Sequence, residues 1–177
     1  MEFAYSALEK VIFNEASTEV LPRLLRGLSY KRPFVVVSRT LAEKTDDLSA
    51  LRQALSVELA GFYKAIRSHT PREDALELLD QVRESGADVI ISVGGGSVID
   101  AGKFVQLAIA QGLKHESEIL EYSQQGNGSR GPKHGDFRLF SSTDKIRQLA
   151  IPTTLSGAEF SNSAGVLNSS SGSKEGY

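Results

Sequence analysis

The sequence has no cysteine among its 177 residues, which excludes disulfides and thiolate metal sites. It has no excess charge of either sign. Its 20 Lys and Arg stand against 22 Asp and Glu, for a formal net charge of -2, so there is no general attraction to phosphate backbones or anionic membranes. Nucleic acid is not an expected partner. No segment reaches the roughly 18 consecutive apolar residues of a membrane helix, and the stretch "MEFAYSALEKVIFNEASTEV" holds neither a basic leader nor a long apolar run. A membrane is not expected either, and the cytoplasm is the default compartment. The 40% of hydrophobic residues suffices to bury one sizeable core, and the length predicts a single domain over residues 1–177.

Within that length, strand and helix patterns alternate. "PFVVVS" (33–38) predicts a strand, and "LSALRQAL" (48–55) predicts a helix with Leu48, Leu51 and Leu55 on one face. "GFYKAI" (61–66) reads as a second strand. "TPREDALELLDQVRESG" has the marks of a complete helix: Thr70 as N-cap, Pro71 at the first helical position, Glu73 in a capping box and Gly86 as terminator. "ADVIISV" (87–93) is apolar on both faces, as a strand is when helices cover a parallel sheet on either side. The alternation predicts a doubly wound, mostly parallel, Rossmann-like α/β fold.

Such sheets bind ligands at the carboxyl ends of their strands, and "GGGS" (94–97) stands at that place. Gly94, Gly95 and Gly96 let a ligand approach the backbone closely, Ser97 adds a hydroxyl, and the helix predicted from Val98 contributes unpaired N–H groups and a positive dipole end. These features suit a diphosphate. Two familiar fingerprints fail. G-x-G-x-x-G requires glycine where Ile99 stands, and the P-loop requires glycine at Ser97 and Ser or Thr at Phe104, although Gly102 and Lys103 are in place. A triple glycine can also be no more than a tight turn, but its position before Ser97, Asp100 and Lys103 favours binding. A second segment, "QLAIPTTLSGAEFSNSAGV" (148–166), sets Thr153, Thr154, Ser156 and Gly157 after a short apolar strand. Hydroxyls there suit phosphate or ribose, though an ordinary Ser/Thr loop has the same composition.

"GGGSVIDAGK" resembles the GGGSxxDxAK motif of the iron-containing, metal-dependent alcohol dehydrogenases, departing at Gly102, and "IPTTLSGAEFS" is similar to that family's strand-PTT-loop-Ser-Glu segment. "RSHTPRED" is similar to its cofactor-side loop, and TLSGAEF is nearest to the maleylacetate reductase-like branch. The resemblance implies the N-terminal cofactor-binding domain of an NAD- or NADP-dependent oxidoreductase that interconverts an alcohol and a carbonyl compound by hydride transfer. It implies that Gly95, Gly96 and Ser97 hold the cofactor diphosphate, with Asp100 close to the nicotinamide side. Thr153, Thr154 and Ser156 would line the adenosine and diphosphate region, His69 the adenine end, and Lys174 the ribose. The plain alternatives are a solvated loop histidine and a surface lysine. A small alcohol or keto-acid substrate and an Fe2+ or Zn2+ ion are implied for the full-length protein, and a homodimer is allowed.

In dinucleotide folds an acidic residue at the end of the second strand accepts from the ribose 2′-OH, whereas an arginine accommodates a 2′-phosphate. "VVVSRTL" has Ser38 and Arg39 instead of an acid, so NADP is expected alongside NAD unless Arg39 points into solvent.

Relatives in the family continue into a helical domain with an aspartate and three histidines, and this sequence stops in "NSSSGSKEGY" before them. His69, His115 and His134 show no H-x3-H or H-E-x-x-H spacing. Neither a metal site nor a catalytic residue is expected here, and the fragment alone should be inactive. The alternative is a non-catalytic nucleotide-binding module on the same scaffold. A dehydroquinate-synthase type of lyase is disfavoured by "GGGS" followed by "PTT". Residues 124–145, rich in Gly and Ser and poor in apolar groups, read as a mobile loop, with a lid or dimer contact as the second reading.

Overall fold

Strands Pro33–Ser38 (β1), Gly61–Ile66 (β2), Val89–Gly94 (β3) and Arg147–Pro152 (β4) pair in parallel, in the order β2-β1-β3-β4. The computed structural model describes residues 8–44, 47–55, 58–123 and 146–177, so the predicted loop at 124–145 lies outside the described residues. Helices are Ser17–Gly27 (α1), Arg39–Lys44 (α2), Asp47–Ala54 (α3), Arg72–Ser85 (α4), Gly96–Ala110 (α5) and Glu116–Leu120 (α6). The chain closes on an antiparallel hairpin, Gly165–Asn168 (β5) and Ser173–Gly176 (β6).

Side chains alternate across a strand, and here the alternation sorts the core into two layers. Phe34, Val36 and Ile90 face α4 and α5, where they meet Leu78, Leu79, Val98, Phe104 and Val105. Val35, Val37, Val89, Ile91 and Val93 face the other way, against Leu21 and Leu25 of α1 and Leu51 of α3. Every residue of β3 is buried, as predicted for a strand covered on both faces. The fold is the doubly wound α/β architecture.

Two local expectations change. Helix α4 does not begin with a Thr70 cap: Pro71 takes the N-cap position without a side-chain cap, and the helix proper starts at Arg72. Thr70 is fully buried and its hydroxyl donates to Ser97 O, while Glu73 accepts from Ser169 Oγ rather than closing a capping box. The predicted terminator holds, with Gly86 left-handed at φ 63°. Helix α5 begins at Gly96, two residues before Val98, because Gly95 takes the extended N-cap conformation. Helix α1 and the hairpin correspond to no element read from the sequence.

The hairpin is fastened to α4 by charge. Glu175 Oε1 and Oε2 both accept from Arg72 Nη2 at 2.5 Å, Oε1 accepts from Asn168 Nδ2 at 3.0 Å and Oε2 from the Tyr177 hydroxyl at 2.8 Å. Burial pushes the Glu175 carboxyl up, but the bonds from Arg72, Asn168 and Tyr177 outweigh it and hold the group below its ordinary value of 4.5. A carboxyl with a depressed folded-state pKa stabilises above its unfolded value, and that contribution is lost as pH falls through the folded value. Glu175→Gln is therefore expected to cost about 1–3 kcal/mol at neutral pH. Urea denaturation of both proteins should show this gap closing as pH falls below the ordinary carboxylate value, and a gap independent of pH would refute the assignment.

Candidate functional site

From β1 the chain moves outward to β2, and from β3 outward to β4, so the connections leave two adjacent strands in opposite directions. The crevice at the carboxyl ends of such a strand pair is where doubly wound sheets take ligands. Ser38 and Arg39 stand at the end of β1, Gly94–Ser97 at the end of β3, and Thr153–Ser156 just beyond β4. Residues from three segments thus meet at one edge of the sheet. Ser38 Oγ accepts from the Leu41 N–H at 3.2 Å, opening α2, and Arg39 is exposed.

Two of these segments touch. Gly94 is level with Pro152 in the sheet, and Gly94 O accepts from the Thr153 N–H at 3.0 Å. A Cβ on Gly95 would lie 3.0 Å from Thr154 Cγ2 and Oγ1, and one on Gly96 would lie 3.0 Å from Ser156 Oγ. The glycines therefore let two loops close on each other. Val98 N and Ile99 N close the first turn of α5 on Gly95 O. The N–H groups of Gly96 and Ser97, which precede them in that turn, have no acceptor within the helix and sit at its positive dipole end.

A third loop is anchored on Ser97. His69 N donates to Ser97 Oγ at 2.9 Å and Thr70 Oγ1 donates to Ser97 O at 2.9 Å. Both anchored residues are left-handed, with φ of 66° at His69 and 54° at Thr70, a conformation that costs non-glycine residues on the order of 1–3 kcal/mol each and collects at ligand sites. Arg67 braces the same loop, donating from its backbone N to Asp74 Oδ2 at 2.8 Å and from its guanidinium to both Asp74 oxygens. Accepting from His69 leaves the Ser97 hydroxyl proton free to donate. The His69 side chain is exposed.

Asp100 is nearly buried, at 9% exposure, and its oxygens are already engaged. Oδ2 accepts from Gly165 N at 3.1 Å and Oδ1 from Lys103 Nζ at 3.3 Å. Lys103 also donates to Ser161 Oγ and Ser163 O, both at 2.9 Å. Burial pushes the Lys103 ammonium below its ordinary value against the pull of Asp100 and Glu159. Asp100 and Lys103 therefore pin α5 to the segment before β5. Lys174 is exposed, and its stem crosses Gly165 so closely that a Cβ there would collide with Lys174 Cε. Its ammonium and Asp100 Oδ2 approach that same point, at 2.7 and 3.3 Å. Thr70 and Gly165 are parts of the site beyond those that the sequence motifs mark. Gly165 opens β5, a strand that no pattern in the sequence marked, so its close approach to Lys174 is set by the fold.

With this geometry established, comparison with known proteins identifies the family. The iron-containing alcohol dehydrogenase model matches residues 9–177. The chain belongs to the iron-containing alcohol dehydrogenases. It is 35% identical over 154 residues to the dehydrogenase FUM7 of Gibberella moniliformis, covering 85% of this chain and 35% of that protein. The chain thus spans about a third of that relative's length. Maleylacetate reductase from Agrobacterium tumefaciens superposes with a TM-score of 0.68 at 24% identity, over 100% of this chain and 39% of that one. Sulfoacetaldehyde reductase from Bifidobacterium kashiwanohense, in complex with NAD+, superposes with a TM-score of 0.78 at 16% identity, over 99% and 43%. At those identities the two structures establish the shared fold.

The anchoring on Ser97 is testable in this family member. Ser97→Ala removes the acceptor from the His69 N–H and should lower stability by about 1 kcal/mol. Hydrogen exchange at the His69 amide should accelerate; unchanged exchange would place the anchor elsewhere.

Proposed function

We propose that this chain binds the nicotinamide dinucleotide of an alcohol dehydrogenase or reductase that interconverts an alcohol and a carbonyl compound by hydride transfer. The observation that carries the reading is the close meeting of the Gly95–Ser97 turn with Thr154 and Ser156 at the carboxyl edge of the sheet, where a Cβ on Gly95 or Gly96 would press against them at 3.0 Å. Family membership and the NAD+ complex of a reductase with the same fold support it. The dinucleotide, when bound, supplies the hydride chemistry. The chain's own residues bind and orient it. Backbone N–H groups of Gly95, Gly96 and Ser97 face the diphosphate, helped by the dipole of α5. Hydroxyls of Ser97, Thr153, Thr154 and Ser156 donate to phosphate or ribose, His69 borders the adenine end and Lys174 the ribose. Asp100 orders the nicotinamide side by holding Gly165 and Lys103.

Iron or zinc belongs to the same proposal only through the rest of the protein. Among the described residues no three His, Cys, Asp or Glu side chains gather into a metal-binding group, so those residues do not fit the metal. Alcohol turnover is assigned to the whole protein and nucleotide binding to this chain. Among the described residues no helix is long and apolar enough to cross a membrane.

Titration of NADH and NADPH fluorescence against the chain tests the reading. At Gly95, φ is -78°, so a side chain there brings no backbone strain and acts only through contact. Gly95→Val should weaken nucleotide binding at least tenfold, about 1.4 kcal/mol, with circular dichroism unchanged; equal affinity in a folded variant would reduce the glycines to a turn.

Cofactor choice is tested at β1, which neighbours the glycine-turn strand β3 in the sheet as the second strand of a dinucleotide fold neighbours its first. No acid stands at Ser38 or Arg39 to repel a 2′-phosphate, and Arg39, although exposed, stands at the strand end where its guanidinium can reach a 2′-phosphate in a charge-assisted contact of roughly 1.5–3 kcal/mol. NADP is accepted alongside NAD on this reading. Replacing Ser38 with Asp keeps a side chain able to open α2, and with Arg39→Ala it should shift preference towards NAD. A wild type that already binds NADH more than about tenfold tighter than NADPH would contradict it.

A further inference from the structure

Helix α5 has glycine at 102 where the GGGSxxDxAK motif has alanine. The glycine is buried, and a Cβ on it would collide with Gln148 Nε2 and lie 2.8 Å from Ser92 Oγ. The amide of Gln148 occupies that space, donating to Ser92 Oγ at 2.7 Å and to Ile99 O at 3.1 Å. An amide NH2 has two hydrogens to donate, and these two bonds account for both. Ser92 is fully buried and stands two residues before Gly94. Ile99 lies one turn beyond Gly95, and Gln148 is the second residue of the strand that ends at Pro152, level with Gly94. One side chain thus ties together the three elements that carry the glycine turn and the Thr153–Ser156 loop.

We propose that Gln148 is a positioning residue of the nucleotide cleft, clipping α5 to β3 and β4 so that the two loops meet at the right separation, and that Gly102 is the space the clip requires. This rests on reading the cleft as a nucleotide site. The clip acts at a distance from the ligand: it sets where Gly95 and Gly96 stand relative to Thr154 and Ser156. It also makes the two positions interdependent. Alanine at 102 displaces the amide and leaves Ser92 and the Ile99 carbonyl without it, whereas a protein with a short residue at 148 has room for a methyl at 102.

The test is a double-mutant cycle on the full 177-residue chain with NADH as probe. Gln148→Ala and Gly102→Ala should each raise the NADH Kd about tenfold, and the double variant should be less impaired than the product of the two, as coupled neighbours are. Leu25→Ala, in the core on the opposite face of the sheet, serves as a destabilised control and should leave the NADH Kd unchanged below its melting temperature. Folded single variants with wild-type Kd, or strictly multiplicative losses, overturn the proposal. If the wild type itself binds no NADH, the function reading fails and hydrogen exchange decides the clip. In Gln148→Ala the Ile99 and Thr153 amides, which bond to Gly95 O and Gly94 O, should exchange faster, and unchanged rates overturn it.

Discussion

The carboxyl edge of this sheet is organised by two missing side chains. At Gly95 and Gly96 the place of a Cβ lies 3.0 Å from atoms of Thr154 and Ser156, so a larger residue at either position would need its neighbour to give by a few tenths of an ångström. Because Gly94 O also takes the Thr153 N–H, the sheet ladder runs unbroken into the contact. The first turn of α5 is therefore presented beside a row of hydroxyls. A helix terminus with unpaired N–H groups, next to short hydroxyl side chains, is an anion site by electrostatics and by geometry together.

Ser97 converts that edge into a three-loop junction. Its hydroxyl and carbonyl hold the consecutive left-handed residues His69 and Thr70, while the Arg67–Asp74 pair braces the loop from behind. Strain of this kind persists only where the surroundings over-determine it. One turn further along α5, Asp100 and Lys103 hold the segment leading to β5, and three oxygens surround the Lys103 Nζ. The helix that carries the glycine turn is consequently held at its first and second turns.

Much of this was legible in the amino-acid order. The bounds predicted for the first two strands match β1 and β2, and the apolar run at 87–93 holds most of a strand, Val89–Gly94, that is buried along its whole length, with Ala87 and Asp88 left before it. The resemblance of "GGGSVIDAGK" and "IPTTLSGAEFS" placed the chain in its family, and the family model spans residues 9–177. Thr70 shows how a correct local pattern found a different partner. A threonine before Pro and an acid three residues on reads as a capping box, but the hydroxyl was drawn to Ser97, and the helix began without a side-chain cap. Tertiary hydrogen bonding outweighed a local one of similar strength.

What the sequence determined by itself is what periodicity and composition encode: which segments are strands, which residues face a core, and where the backbone is bare enough for close approach. These are local properties, set by side-chain volume and hydrophobic pattern. Which atoms those bare positions meet was decided only by the tertiary structure. Gly95 is 59 residues from Thr154, and Gly102 is 46 residues from Gln148, and nothing near either glycine in the chain names its partner. The sheet brings them together because β3 and β4 pair in parallel, with Gly94 level with Pro152, and register is a property of two strands at once.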